Sequence, residues 1–174
     1  MRHQLCNIVT LNLNTTCNLH CKWCYNQEKQ HRLLKFELFA KFYEDIIKNN
    51  ITSIALIGGE PSIHTQFVEI LRKLKEQEVH LFINAIRFSE NDFCNDVCRK
   101  KILKDITISI KGFNEKSFEK FSDEKAFAEF CSAIENLREQ RLCIRATYNC
   151  TEILSKTMIS EFVHLLSYYG LHEI

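Results

Sequence analysis

The sequence predicts an α/β domain in which parallel strands are joined and covered by helices. Three observations support this prediction. Short apolar runs typical of strands alternate with longer segments whose apolar residues recur at helical spacing. The chain has only four glycines, and each follows a predicted strand or helix. Its 174 residues are enough for one domain with a core of its own.

The first half of the chain contains three predicted strands, at residues 8–13, 51–57 and 79–85. The second is a nearly continuous apolar run, which suits a strand buried on both faces. Two amphipathic helices separate the strands. Their apolar positions are Phe36, Phe39, Tyr43, Ile46 and Ile47 in the first helix, and Phe67, Ile70, Leu71 and Leu74 in the second. A helix between consecutive strands is the crossover that parallel strands require.

The second half continues the alternation. A polar segment at residues 90–100 is compatible with a short helix, and residues 106–110 and 142–148 form the fourth and fifth predicted strands. The helix between those strands has Phe127, Phe130, Cys131, Ile134 and Leu137 at its apolar positions, and the last helix has Leu154, Met158, Phe162, Leu165, Leu166 and Tyr169.

The end of the chain resembles an interrupted βα unit. Gly170 lies where the last helix should stop, and residues 171–174 look like the start of a sixth strand. We therefore expect residues 1–174 to form one parallel (β/α) partial TIM barrel of five to six units. Because a closed eight-stranded barrel takes about 250 residues, the domain is either an open partial barrel or incomplete at its C-terminus. We favour the second interpretation.

Composition excludes some classes of function. The formal net charge of +1 provides no basic face for a polyanion, so we do not expect a nucleic-acid partner. No apolar run approaches the roughly 18 residues that a membrane helix needs. The first residues lack the apolar stretch and cleavage site of a signal peptide. We therefore expect a cytoplasmic protein.

Nine cysteines are many for a cytoplasmic domain of this length. An odd number without a secretory signal argues against a disulfide framework, and a reducing compartment keeps thiols free. Three of them, Cys17, Cys21 and Cys24, lie just after the first predicted strand. In a parallel α/β fold this is the carboxyl edge of the sheet, where loops build active sites.

The spacing of this triplet favours an iron–sulfur cluster. Three thiolates from a single loop can converge on one centre, and a 4Fe–4S cluster normally takes four. Three cysteine ligands would leave one iron open to a ligand from outside the protein. Three alternatives compete with this interpretation. They are a zinc site completed by His20 or His31, a thioredoxin-like pair of Cys21 and Cys24, and thiols that only pack in the core.

The C-x3-C-x2-C spacing, with aromatic Trp23 directly before the third cysteine, resembles the hallmark of the radical S-adenosylmethionine (radical SAM) superfamily. The resemblance implies a 4Fe–4S cluster on Cys17, Cys21 and Cys24, with S-adenosylmethionine chelating the open iron. It also implies cleavage of that cofactor to a 5′-deoxyadenosyl radical, which abstracts a hydrogen atom. An external electron donor such as flavodoxin or ferredoxin would supply the electron. Trp23 would then lie at the cofactor site.

A second motif follows the second predicted strand. The segment Gly58-Gly59-Glu60-Pro61 resembles the GGE motif of the same family, which binds the methionyl amino group of the cofactor. Adjacent glycines allow close approach of the backbone to a ligand and positive φ angles. A carboxylate complements an ammonium group. The alternative is a turn with a solvated glutamate, and the position one βα unit after the triplet argues against it.

Weaker matches follow at the same edge of the sheet. Asn84 ends the third predicted strand where relatives often have Thr-Asn-Gly, although Ala85 replaces that glycine. Ser109 and Lys111 resemble the Asp-x-Lys-Gly stretch of glycyl-radical-enzyme activases, with serine in place of the aspartate. Both could contact the carboxylate or ribose of the cofactor. Arg145 and, beyond the same strand, Asn149 are candidate cofactor or substrate contacts.

The remaining cysteines carry weaker signals. Cys94 and Cys98 are four residues apart, so both could reach one metal if the segment is helical, but thiols without a ligand role are the favoured interpretation. The positions expected to pack in the core are Cys131, Cys143 and Cys150, and Cys6 is uninformative. We expect His64 to be a residue of a helix's first turn, not a ligand.

Two substrate classes remain open at this point. Gly58–Pro61 and Lys111-Gly112 resemble small activases that act on a partner protein. The pattern around Cys17–Tyr25 is also similar to that of peptide- and protein-modifying members of the family. A non-catalytic module that binds a cluster or zinc is a third hypothesis. In each enzymatic case we expect a peptide or protein substrate.

Overall fold

The computed structural model describes residues 8–26, 31–99, 101–149 and 153–171. Among these residues, five parallel strands form one sheet in the order β1-β2-β3-β4-β5. The strands are β1 (Ile8–Asn12), β2 (Ser53–Ile57), β3 (Glu78–Ile83), β4 (Leu103–Ile110) and β5 (Cys143–Tyr148). Each strand pairs with the next one in the sequence, which confirms the predicted α/β class and the order of the strands.

The described residues also form six α-helices. These are α1 (Phe36–Lys48), α2 (Phe67–Lys73), α3 (Asn91–Cys98), α4 (Glu115–Ser122), α5 (Phe127–Arg138) and α6 (Lys156–Tyr168), with short 3₁₀ helices at Pro61–Ile63 and Ile86–Ser89. Apolar periodicity predicted α1, α2, α5 and α6, and α3 lies in the polar segment that was compatible with a short helix. Helix α4 and the two 3₁₀ helices were not predicted. None of the helices in this part of the chain is long and apolar enough to cross a membrane.

Helix α4 begins with a capping box. The side chain of Asn114 accepts a hydrogen bond from the Ser117 amide (2.9 Å), and the Ser117 hydroxyl accepts one from the Asn114 amide (3.1 Å). Two amides that the helix itself leaves without partners are thereby satisfied. This cap fixes where the chain turns back after β4.

The core lies between the sheet and the helices. A strand order without reversal, joined by right-handed crossovers, places the helices on one face of the sheet. Five phenylalanines on this side are at most 1% exposed: Phe39, Phe67, Phe88, Phe118 and Phe130. Burial of each contributes roughly 2 kcal/mol. The opposite face, which carries the half-exposed Phe82, is the inner face of the partial barrel.

The last helix ends as predicted. Gly170 has a φ of 65°, and the amide of Leu171 donates to the Leu166 carbonyl at 2.8 Å, which is a Schellman motif. Residues 172–174, which were predicted to continue a sixth strand, lie outside the described residues. The sixth strand and an incomplete C-terminus therefore stay predictions.

Candidate functional site

A cavity of about 360 Å³ opens at the carboxyl ends of the strands. The loop after β1 and the ends of β2, β3, β4 and β5 all contribute to its wall. The predicted site residues that line it are Cys17, Cys21, Trp23, Cys24, Gly58, Gly59, Asn84, Ser109 and Lys111. Asn149 also lines it, whereas Glu60 and Arg145 do not. The structure therefore brings most of the predicted residues together in one place.

The cysteine loop, residues 17–24, is held by the far end of α4. Its His20 amide donates to the Ser122 carbonyl at 2.9 Å, and its Lys22 amide donates to the Phe121 carbonyl at 3.0 Å. The His20 side chain also contacts the Glu124 carboxylate at 2.7 Å. Because α4 follows β4, the thiols take their position from a segment distant in sequence.

The thiols of the loop are partly desolvated. Burial raises the pKa of Cys17 to about 11, although a hydrogen bond from the Leu19 amide acts in the opposite direction. Burial also raises the pKa of Cys21, and the positive charge of Lys111 opposes that rise. Despite the charge of Lys111, both groups therefore favour the neutral thiol near neutral pH. A metal centre would reverse this preference, since metals bind thiolates.

In iron–sulfur sites, hydrogen-bond donors commonly lie close to the cysteine sulfurs that bind the cluster. The Leu19 amide lies 3.4 Å from the Cys17 sulfur, and the Asn84 side-chain amide lies 3.6 Å from it. Three thiols on one cavity, with N–H groups directed at one of them, fit a cluster. Within the described ranges, no three His, Cys, Asp or Glu side chains are close enough together to hold a single metal ion.

The competing interpretations fit less well. Neither His20 nor His31 lines the cavity; His20 pairs with Glu124, and His31 contacts the Thr16 hydroxyl at 3.4 Å. A thioredoxin-like pair would open a helix, but Cys21 and Cys24 lie in a turn that closes with the Cys24 amide on the Cys21 carbonyl (3.2 Å). The loop is therefore not arranged as a thioredoxin-type site.

The paired glycines are required by close packing of two backbone segments. A Cβ at Gly59 would lie 2.4 Å from the Thr16 carbonyl oxygen, and one at Gly58 would lie 2.4 Å from the Asn14 side-chain oxygen. Neither glycine has a positive φ, so that part of the prediction was wrong. Their role here is to let the end of β2 approach the segment that follows β1.

Glu60 lies behind the cavity wall and is fully buried. One carboxylate oxygen accepts hydrogen bonds from the amide and hydroxyl of Ser62, at 3.1 and 2.5 Å, and the other accepts from the Asn84 amide at 2.6 Å. Burial raises the pKa of Glu60, and these donors oppose the rise. In this structure the carboxylate therefore joins β2 to β3, and its predicted contact with the cofactor stays a prediction.

The ends of β3 and β4 supply polar groups to the cavity. The side-chain amide of Asn84 donates to the Asn18 side chain at 2.8 Å, and the ammonium of Lys111 donates to the Ser109 hydroxyl at 2.6 Å. Ala85 has a φ of 73°, in the left-handed region that favours glycine. A glycine here, as in the Thr-Asn-Gly stretch of relatives, would adopt this conformation without strain.

Arg145, a predicted cofactor or substrate contact, does not line the cavity. Its guanidinium lies 2.6 Å from the Asp105 carboxylate, on the inner face and away from the cavity wall. The reason is strand register: Arg145 pairs with Thr107, which places it beside Asp105, two residues nearer the start of β4. The structure therefore gives no support to a cofactor contact for Arg145.

Sequence reasoning missed several contributors to the site. The side-chain amide of Asn14 donates to the Glu60 carbonyl at 3.0 Å, and the hydroxyl of Tyr25 donates to the Gly58 carbonyl at 2.9 Å. Phe121 and Thr107 line the cavity. The position of Asn14 directly after a strand was an available signal, whereas the contribution of α4 depends on tertiary contacts.

The other cysteines that the structure describes, Cys94, Cys98, Cys131 and Cys143, do not line the cavity. Cys94 and Cys98 are buried on α3, where the Cys98 thiol donates to Cys94, lowering the pKa of Cys94 and raising that of Cys98. Cys131 is half-buried, but Cys143 is exposed, so its expected core position was wrong. Cys6 and Cys150 lie outside the described residues.

His64 is buried and does not line the cavity. It ends the 3₁₀ helix at Pro61–Ile63 and does not lie in the first turn of a longer helix. Its imidazole contacts the Leu34 carbonyl at 2.9 Å and accepts a hydrogen bond from the Gln66 amide at 3.0 Å.

Comparison with known proteins gives a consistent result. The family model described as the Radical SAM superfamily matches residues 11–157. The subtilosin biosynthesis protein AlbA of Bacillus subtilis is 26% identical over 150 residues, which are 82% of this chain and 33% of that protein. A probable GTP 3′,8-cyclase of Saccharolobus islandicus is 25% identical over 174 residues, 94% of this chain and 54% of that protein. The chain thus spans only part of the length of these relatives.

The fold has solved counterparts. The structure of Streptococcus suis SuiB bound to the precursor peptide SuiA superposes on 94% of this chain and 37% of that one, with a TM-score of 0.78 at 14% identity. At this identity the likeness shows the fold alone. The five parallel strands and their helices correspond to a partial TIM barrel.

Proposed function

Since the chain belongs to the radical SAM superfamily, we propose that it cleaves S-adenosylmethionine reductively and abstracts a hydrogen atom from a peptide or protein substrate. The family uses a 4Fe–4S cluster and S-adenosylmethionine. The observation that carries the proposal is the meeting of Cys17, Cys21 and Cys24 at one cavity on the carboxyl edge of the sheet. When bound, the cluster and S-adenosylmethionine supply the radical chemistry.

The residues of the chain would bind and orient these groups. The three thiolates would hold the cluster, and the Leu19 and Asn84 amides would stabilise the charge on the Cys17 sulfur. Lys111 and Ser109, paired at the end of β4, would contact the carboxylate or ribose of S-adenosylmethionine. Trp23, which is 63% exposed and lines the same cavity, would border the cofactor.

Glu60, Gly58 and Gly59 would position the residues around the site and would not themselves bind the cluster. The buried Glu60 carboxylate holds the Asn84 amide, and so keeps the Asn84 side chain directed at Cys17. The glycines bring the β2 end against Thr16, directly before the first ligand. Direct binding of the methionyl amino group by Glu60 would require the carboxylate to leave its present partners.

Two relatives support a peptide substrate. The names of AlbA and of the SuiB complex describe a bacteriocin biosynthesis protein and an enzyme bound to a precursor peptide. The GTP 3′,8-cyclases support a small-molecule substrate as the second candidate. An activase acting on a partner protein remains a third candidate, on the resemblance of Gly58–Pro61 and Lys111-Gly112 to small activases. In each case we propose a one-electron donor such as flavodoxin or ferredoxin, and a location in the cytoplasm.

The experiment that tests the proposal is anaerobic reconstitution with iron and sulfide, followed by EPR of the reduced protein with and without S-adenosylmethionine. We expect a 4Fe–4S signal that changes when S-adenosylmethionine is added, together with release of 5′-deoxyadenosine. A cluster signal that S-adenosylmethionine leaves unchanged, with no cleavage, would favour the non-catalytic module. Bound zinc without a cluster would overturn the proposal.

A further inference from the structure

A chain of polar side chains crosses the inner face of the sheet below the cavity. The Ser53 hydroxyl lies 2.9 Å from one imidazole nitrogen of His80, and the other nitrogen lies 2.8 Å from the Asp105 carboxylate. The Arg145 guanidinium contacts the same carboxylate at 2.6 Å. These four residues, here called the polar chain, come from β2, β3, β4 and β5 in turn.

Strand alternation fixes where the polar chain lies. Phe82, Thr107 and Thr147 line the cavity, and side chains two residues apart on a strand point to the same face. His80, Asp105 and Arg145 each precede one of those residues by two positions. The polar chain is therefore the next layer of the inner face, directly beneath the cavity floor.

This layer is unlike the packed interior of a closed barrel, which is dominated by branched apolar side chains. The Asp105 side chain is only 4% exposed, a burial that is costly for a carboxylate unless it is paired. Its partners are more accessible: the His80 side chain is 21% exposed and that of Arg145 is 43% exposed. In this layer the Arg145 guanidinium is partly exposed on the inner face, and the buried Asp105 carboxylate contacts it.

We propose that the polar chain is a recognition site for a carboxylate group of the substrate, with Arg145 as the contacting residue. This inference rests on the proposed function, because it places part of the substrate below the reacting centre. Asp105 fixes the guanidinium, and the hydrogen bond from His80, itself held by Ser53, fixes Asp105. A planar guanidinium in a fixed orientation suits bidentate binding of a carboxylate.

The carboxylate has two sources: the acidic side chain of a peptide or a small organic acid. Both present the same planar anion to Arg145, and the probes below separate them. A neutral amide of the same shape should bind much more weakly, because it lacks the charge that strengthens the hydrogen bonds.

The test uses arginine modification by phenylglyoxal on the reconstituted chain, with peptide mass spectrometry to locate the modified residues. The probes are succinate, acetyl-Gly-Glu-Gly-amide and the matching glutamine peptide. At about ten times its dissociation constant, a bound probe should slow modification of Arg145 by about tenfold. Arg72, an exposed residue of α2, is the internal control and should react at an unchanged rate.

Protection of Arg145 by succinate or by the glutamate peptide, but not by the glutamine peptide, supports the inference. Protection by the glutamate peptide identifies a peptide side chain as a ligand, and protection by succinate alone favours a small acid. Equal rates with and without all probes would overturn the inference. So would an Arg145 that does not react in the free chain, since its guanidinium would then be closed to ligands.

A direct binding measurement complements the modification. Titration calorimetry of the carboxylate probe should show an affinity at least tenfold weaker for Arg145→Gln than for Arg72→Gln. Equal affinities of the two variants would contradict the assignment. Neither measurement depends on 5′-deoxyadenosine release. Cleavage without carboxylate binding therefore overturns this site alone, whereas binding without cleavage counts against the proposed function.

Discussion

Two pairs of cysteines in this chain have the same spacing and different surroundings. Cys17 and Cys21 are separated by three residues, as are Cys94 and Cys98. The first pair lies in a loop at the carboxyl edge of the sheet and borders a cavity. The second pair lies on α3, buried in the hydrophobic core, and one of its free thiols donates a hydrogen bond to the other. Spacing alone therefore does not distinguish a ligand from a packed thiol.

The two regions also differ in what holds them. The cavity edge depends on buried polar groups, namely Glu60, His64 and Asn84. Around α3 the contacts are apolar and aromatic, such as the edge-to-face pair of Phe88 and Phe93 with ring centres 5.2 Å apart. A polar edge keeps side chains directed at a ligand, whereas an apolar core only requires that volume be filled.

The largest expected effect separates the two pairs directly. Cys21→Ala should abolish assembly of the cluster, because two thiols remain on the cavity. Cys98→Ala should leave the iron content and the EPR signal intact, because no residue of α3 lines the cavity. Iron and sulfide analysis after reconstitution measures both. A full cluster signal in Cys21→Ala would contradict the assignment of Cys21 as a cluster ligand.

The polar edge itself can be tested at Glu60. Glu60→Ala leaves two amides and one hydroxyl without their buried acceptor, so we expect the free energy of unfolding to fall by about 3 kcal/mol or more. Glu119→Ala, on the exposed side of α4, should change it by less than about 0.5 kcal/mol. Urea denaturation of both variants compares them. Equal stabilities would mean that Glu60 does not hold β2 to β3.

A pH profile sharpens the same contrast. Burial lowers the pKa of His64 below its usual 6.5, although its hydrogen bond to the Leu34 carbonyl opposes the shift. The unfolded chain then binds a proton more readily than the folded chain. The resulting stability is present above pH 6.5 and is lost as the pH falls through the lowered folded pKa. The slope is at most about 1.4 kcal/mol per pH unit.

The variant pair for this measurement is His64→Gln and His164→Gln. The first should flatten the decline of the unfolding free energy below pH 6.5. The second replaces an exposed histidine of α6 and should leave the decline as it is in the unchanged chain. Denaturation curves between neutral and mildly acidic pH provide the comparison, and identical slopes in both variants would refute the role of His64.

The smallest expected effect concerns the backbone at the same edge. Ala85→Gly relieves the strain of a left-handed conformation, which costs an alanine about 1 kcal/mol. It also removes a buried methyl group, whose burial contributes about 0.8 kcal/mol. We expect the unfolding free energy to change by less than about 0.5 kcal/mol. Ala133→Gly, equally buried but helical, should cost about 2 kcal/mol because both effects have the same sign. A large loss of unfolding free energy in Ala85→Gly would show that the left-handed conformation of Ala85 stores little strain.

Much of this fold could be predicted because its signals are local. The apolar periodicities of residues 36–47 and 127–137 located α1 and α5, and Gly170 located the end of α6. Helix α4 was missed because only Phe118 and Phe121 of its residues are apolar, although Asn114 and Ser117 form a recognisable capping box. The shorter α2 was predicted because most of its residues are apolar and recur at helical spacing.

The site was predictable to the extent that it is contiguous in sequence. The cysteine loop and the end of β2 each carry a motif, so their arrival at one cavity follows from parallel strands. The placement of Arg145 beside Asp105 depends on the register between β4 and β5. The burial of Glu60 depends on Asn14, Ser62 and Asn84 together. No single segment of sequence contains that information.

The attachment of the cysteine loop to α4 has a consequence for the order of assembly during synthesis. A nascent chain that has emerged as far as Ile110 already contains every thiol of the loop and Glu60, but not Phe121 and Ser122, whose carbonyls hold the loop. Loading of iron at that moment would meet an untethered loop. We therefore expect productive insertion of a cluster to follow the emergence of α4.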